Sequence, residues 1–400
     1  MKNYVKLIVI LLVGSVILAS CSGKVELNEI LIVSAIGIDQ EGDQTIVHLQ
    51  VVNAGGPGIQ SAGLGGPVYT YSVKGETLYD AIKQANNILP RRVIFSHITC
   101  FVISEEYARE SGIAPLLDFM ERNNEIRDNV LMFVAKNSSA KDILSLYTPI
   151  FKNPGESIIN RVQISSSTTG ISQGIKEKDI VNWTYGEFRD PVIQGIERLD
   201  FNELGGDSAI LDTIDANNKT FKIKGLALFD RDHLKGWYNI DQTLGWAILD
   251  SRVKESIIVT NECEGQKGYT GFLIKNMKSS VKPKVVKGEI SYQVNVSGTA
   301  ILQEITCKLN VSNPDTLIDL EQQVEESIKQ DIESAVDKAK EMEIDVFGFG
   351  KMLFDIEPKR WKENYEKEWG EKFTKVIVKT KVTIRMESVG TKVKSINEKE

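Results

Sequence analysis

The chain has 400 residues, 48 of them basic and 55 acidic, and a formal net charge of −7. That balance excludes a protein that grips nucleic acid through its phosphates, which needs a basic surface. Hydrophobic residues make up 42% and charged residues 26%, an ordinary globular composition, and the length suggests two or three domains.

The amino terminus reads as an export signal. Lys2 and Lys6 form a short basic region, and Leu7 to Leu18 is an unbroken run of twelve apolar or small residues. That run is too short for a comfortable membrane span and right for a signal peptide over residues 1–20. Leu18-Ala19-Ser20-Cys21 then has the form of a lipobox. Cleavage before Cys21 leaves a thiol that takes a diacylglyceryl group, and the new amino terminus is open to acylation as well. Each buried methylene adds about 0.8 kcal/mol, so two acyl chains give stable anchoring where one is marginal. Loss of Lys2 and Lys6 takes the mature net charge to −9. Residues 21–24 form a short tether. Cys100, Cys263 and Cys307 remain, widely spaced, and no disulfide framework is expected.

Ile30 to Ile38 is a near-continuous apolar run ending at Asp39, which predicts a buried strand. Thr45, Val47, Leu49 and Val51 alternate with more polar neighbours as the second arm of a hairpin. Residues 54–67 carry six glycines and two prolines; without a strand–helix setting they predict a surface loop, not a phosphate cradle. A strand at Tyr69–Val73 precedes a helix marked by Leu78, Ala81, Ile82, Ala85 and Leu89. Strands at 98–103 and 129–135 alternate with helices at 112–122 and 140–147. This order predicts a mixed α/β domain, here bounded at residues 25–200, with 150–215 as a connecting region.

A middle domain is expected over 216–280, with strands at 223–229, 255–260 and 270–274 and a short helix at 244–250. The last domain spans 281–395. Ile290, Tyr292, Val294 and Val296 alternate with polar residues, so one face of that strand is buried. Asn313-Pro314 supplies an N-cap and a first-turn proline. Leu317, Leu320, Val324, Ile328, Ile332, Ala335, Ala339 and Met342 then mark one long amphipathic helix. A helix from Pro358 carries Trp361, Tyr365 and Trp369 at a spacing of four. That stripe is either core packing or a contact surface for a partner or lipid headgroups. The final strand places Lys379, Lys381 and Arg385 opposite its apolar side.

Catalytic chemistry is hard to find. His48, His97 and His233 have no partner at metal-ligand spacing, and no nucleophile elbow is present. No catalytic residue, metal site or cofactor is expected. Five segments, in order, are similar to the Ger(x)C family, the C subunits of spore germinant receptors. They are Glu26-Leu27-Asn28-Glu29 leading into 33–39; Ser96-His97 with 102–108; 117–122 with Glu125-Ile126-Arg127; Lys224-Gly225-Leu226-Ala227-Leu228-Phe229 with Leu234 and Gly236; and Asp345-Val346-Phe347-Gly348-Phe349-Gly350 followed by Pro358, Trp361 and Trp369. Glu304 also sits at a family position, whereas Ser22-Gly23-Lys24 departs from the family's usual pair after the cysteine.

The resemblance implies a three-domain mixed α/β (α+β) lipoprotein, with mixed or antiparallel sheets and packed helices. It implies a place on the outer face of the spore inner membrane, with integral-membrane A and B subunits as partners. It implies neither an enzymatic activity nor a germinant pocket in this subunit. The alternative from another class is a lipid-anchored solute-binding protein of a transporter.

Overall fold

The computed structural model describes residues 4, 6, 29–52, 68–146, 153–186, 188–199, 220–260 and 267–388. Of the expected signal peptide only residues 4 and 6 are among these; Cys21, the expected tether and the glycine-rich segment 54–67 lie outside them.

The first sheet has nine strands. β1 (Ile30–Glu41) and β2 (Gln44–Val52) form the expected hairpin, and β3 (Val68–Gly75) pairs with β2 as the edge. β5 (Cys100–Ser104), β6 (Leu131–Ala135) and β7 (Val192–Leu199) continue beyond β1 in parallel, and the short β4 (Arg92–Ile94) pairs with the start of β1. Parallel strands need covered faces. α1 (Leu78–Ile88), α2 (Glu105–Glu110) and α3 (Ala114–Arg122) supply apolar side chains to one core. α4 (Ala140–Leu144) and α5 (Pro154–Thr168) supply them to the other, around Ala35, Cys100, Val102 and Phe133.

The strands expected in the middle domain are divided between two sheets. β8 (Thr220–Asp230) and β9 (His233–Trp237) add antiparallel to β7 and complete the first sheet. β10 (Ser256–Thr260) and β11 (Thr270–Val286) belong to a second sheet of order β10-β11-β12-β13. The region expected to connect domains contains α5, α6 (Glu177–Thr184) and β7. Hydrogen bonding across β7–β8 thus places strands from either side of residues 200–219 in one sheet.

In the second sheet β12 (Glu289–Ile305) pairs antiparallel with β11 and parallel with β13 (Ile377–Ser388). The parallel return needs a crossover, and α8 (Pro314–Glu341) provides most of it. Asn313 caps α8 through a bond from the Asp315 amide, and Leu320, Val324, Ile328, Ile332, Ala335 and Ala339 are buried. α7 (Ile240–Leu249) lies against α8 so closely that a Cβ on Gly245 would sit 2.2 Å from the Asp331 carbonyl oxygen. On the edge strand β13, the amides of Ile384 and Met386 donate to Glu325 and Glu321 of α8, at 2.8 and 2.6 Å.

The cysteine expectation needs one correction. Cys100 is a buried thiol, its pKa pushed up to about 12 by desolvation. Cys307, however, is disulfide-bonded. The β11–β12 hairpin folds Ile305 back beside Thr270, a closure that sequence spacing does not reveal.

Candidate functional site

The segment 345–350 sits where the two sheets meet. α8 ends in a Schellman turn: Glu343 adopts φ 60°, its amide donates to Lys340, and the Ile344 amide donates to Ala339. Asp345 follows, 3% exposed. Its Oδ1 accepts the amides of Phe347 and Phe349 at 3.2 and 3.0 Å. Its Oδ2 accepts the Gly350 amide at 2.7 Å and the Trp369 indole at 2.9 Å. Burial raises the Asp345 carboxyl, while the bonds from Gly350, Trp369 and Phe349 and the nearby Arg189 pull it back. Four donors face it, so the state these bonds require is the carboxylate.

This turn is tied to the first sheet. The Asp345 amide donates to Asp190 Oδ2 at 2.8 Å, and the Asp190 amide donates to the Asp345 carbonyl at 3.0 Å. Asp190 Oδ1 also accepts the Arg231 amide of the β8–β9 turn. Burial pushes the Asp190 carboxyl up to about 6, against the two amides that hold it down. Beside it, Arg189 pairs with Asp250 at 2.7 Å and lies 4.3 Å over the Trp183 ring. Arg252 meets the other oxygen of Asp250 at 2.6 Å. The Trp246 indole donates to the Val346 carbonyl at 3.0 Å.

Trp361, Tyr365 and Trp369 do not form a contact surface on the outside of the protein. They are 1%, 8% and 9% exposed. The segment is not one helix but α10 (Pro358–Asn364), a 3-10 turn at Glu366–Glu368 and α11 (Trp369–Thr374), with α9 (Phe349–Ile356) before them. The breaks turn the rings inward, and Trp361 packs 5.0 Å from Trp369. Gly350 makes room for them: a Cβ there would lie 2.7 Å from Trp361 and 2.9 Å from Trp369. Phe349 stacks 4.1 Å from Tyr292 of β12, whose hydroxyl donates to the Phe349 carbonyl at 2.7 Å.

The histidines are equally informative. His97 is exposed while Cys100 is buried, so the two do not meet, and no metal-holding group of three or more ligands occurs among the described residues. His48 is buried between Ser72 Oγ at 2.8 Å and Asp39 Oδ2 at 2.9 Å. Hydroxyl, imidazole and carboxylate in that order resemble a hydrolase triad. Here Asp39 also accepts the amides of Ala140 and Lys141 at the start of α4. Burial alone would raise the Asp39 carboxyl, but His48 and these amides hold it below its usual range. The group joins three strands to the helix that covers them. Other segments with family resemblance have similar duties: Ser104 caps α2, and Glu125 accepts the Phe95 amide. Asp190, Arg189 and Asp250 have no sequence signal; the bonds that tie them across the joint span 41 to 155 positions.

The family description "Spore germination protein N-terminal domain" matches residues 23–198, and "Spore germination B3/ GerAC like, C-terminal" matches 224–390. The chain belongs to the Ger(x)C family of spore germination proteins. Among its relatives, "Spore germination protein KC" of Bacillus subtilis (strain 168) is 28% identical over 373 residues, covering 91% of each chain. The fold of this Ger(x)C chain is similar to that in the "Crystal Structure of the GerBC protein", with a TM-score of 0.56 at 18% identity over 88% of this chain and 96% of that one. In this Ger(x)C protein, the segment 345–350 is a joint between the sheets.

Proposed function

We propose that the chain is the lipid-anchored C subunit of a nutrient germinant receptor, a non-enzymatic component held on the outer face of the spore inner membrane beside integral-membrane A and B subunits. The observation that carries this reading is the family match across both halves of the chain. The lipobox at 18–21 supplies the anchor, which confines the protein to the membrane plane and raises its effective concentration near its partners. A transporter's solute-binding protein would need two similar lobes around a cleft. Here the sheets differ in size and strand order. The buried, bonded state of the 345–350 joint and its rings supports a scaffold role.

The test is Cys21→Ala in spores. The variant folds, leaves the membrane fraction on a high-salt wash and loses the nutrient response, while receptor-independent triggers still work. A normal nutrient response from an unlipidated chain would overturn the anchored reading. Covalent labelling of Ser72 by a serine-hydrolase probe would overturn the non-enzymatic one.

A further inference from the structure

The second sheet has two unlike faces. The inner face is covered by α7, α8 and α9 and carries Phe272, Ile274, Tyr292, Val294 and Val296, all buried. The outer face is uncovered along β11, β12 and β13. Its cross-strand rows follow the register: Lys278, Ser297 and Thr383; then Ser280, Asn295 and Lys381; then Lys282, Gln293 and Lys379. Lys284 and Arg385 extend the same face at either end of these rows. Lys278, Lys282, Lys284, Lys379, Lys381 and Arg385 are all exposed. The acids facing the same way, Glu289, Glu304 and Glu387, stand at its margins.

No ion pair engages these six cations among the described residues. Elsewhere lysines do pair, as Lys329 with Glu326 and Lys338 with Glu341 on α8. The whole chain carries −7, so positive charge is concentrated here against the overall balance. At the centre of the face lies a shallow cavity of about 290 Å³ lined by Lys278, Ser280, Asn295, Ser297, Lys381 and Thr383. Two ammonium groups with hydroxyl and amide donors around them match a phosphate group. Exposed apolar side chains flank the basic field: Ile257 (52%) and Val259 (59%) on β10, and Val286 (48%) at the far end.

We propose that this outer face docks flat on an anionic phospholipid surface, with a lipid phosphate seated in the central cavity. Charge complementarity favours a membrane over an acidic protein partner. Five of the six cations are lysines, which protein interfaces deplete, and no aromatic anchor stands among them. Lysines spread over a flat polar face suit the diffuse charge of a lipid surface, with apolar side chains reaching the headgroup zone at its edges. The anchor would fix the distance from the bilayer; this face would fix the orientation.

The test uses the full mature chain carrying Cys21→Ala, so no acyl chain contributes and failure of the anchor reading is read separately. Flotation with phosphatidylcholine vesicles, alone or mixed with phosphatidylglycerol, measures binding at low ionic strength. Binding is expected only with phosphatidylglycerol and falls as salt rises. The triple variant Lys282→Glu/Lys379→Glu/Lys381→Glu should weaken it roughly a hundredfold or more. Lys329→Glu/Lys338→Glu on α8 should leave it unchanged. Equal binding to both vesicles, or a triple variant that binds like its parent, overturns the proposal. So does a chain that ignores anionic vesicles and binds an acidic polypeptide instead.

Discussion

Replacing Asp345 by Asn keeps the shape of the side chain and removes its charge. The carboxylate now accepts four bonds, two on each oxygen. An Asn side chain offers one carbonyl and one NH2. In one orientation the NH2 meets the Gly350 amide and the Trp369 indole; in the other it meets the amides of Phe347 and Phe349. Either way two buried donors face a donor. A bond to a charged acceptor is worth about 1.5–3 kcal/mol, so the loss comes to about 3–6 kcal/mol. A domain's whole stability is about 5–15 kcal/mol, so such a loss is severe. Urea unfolding of the mature chain, followed by tryptophan fluorescence, measures it, because Trp361 and Trp369 pack beside the turn. Trp369→Phe removes one such bond, about 1.5–3 kcal/mol by the same reckoning, and adds the cost of the space the smaller ring leaves beside Trp361. A loss below about 1 kcal/mol for Asp345→Asn would mean that the acid is held neutral, and the anionic joint would be refuted.

Two further outcomes follow from packing and burial. Gly245→Ala forces α7 and α8 apart, since the new Cβ would lie 2.2 Å from the Asp331 carbonyl oxygen. It should cost about 1–3 kcal/mol, read as a lower urea midpoint. Glu177 is buried with neither carboxyl oxygen meeting a donor. Desolvation first, then Glu121 and Asp128, push its pKa from 4.5 up to about 8. The folded state therefore holds a proton that the unfolded chain releases, and stability falls as pH rises between those two values. Glu177→Gln should be more stable than its parent at neutral pH, by about 1–2 kcal/mol after allowance for solvent screening, with a flatter pH profile. Equal slopes from pH 5 to 8 would count against the buried proton.

Periodicity made some elements readable and not others. The long helix α8 shows its apolar residues every three or four positions, and its observed start at Pro314 matches the predicted cap. The β1–β2 hairpin and the two faces of β13 were equally plain. α5 was not, because its buried side includes Pro154, Gly155 and Ser157, and small side chains leave no apolar stripe. β11 runs to Val286, well past its apolar start, because its second half has solvent on one side of the sheet. Pro283 is tolerated there since β10 pairs only with residues 270–274. A spacing of four at Trp361, Tyr365 and Trp369 suggested one helix face; two breaks wrap the rings around Gly350 instead. The joint's other half, Asp190 with Arg189 and Asp250, depends on contacts across the chain that no local pattern encodes. The segment 345–350 stood out only through resemblance.

The glutamates beneath β13 have a consequence for crowding. The lipid anchor proposed above would confine copies of the chain to two dimensions, where they collide far more often than in solution. An edge strand with open amides invites a neighbour to zip onto it, and sheets grow from protein to protein. By filling the Ile384 and Met386 amides, Glu325 and Glu321 take this end of the edge out of reach of a docking strand. Association at this end then falls to side chains, which can be selective and reversible, and not to the main chain, which recognises almost any strand. With the membrane partners proposed above, the chain would gain from that refusal.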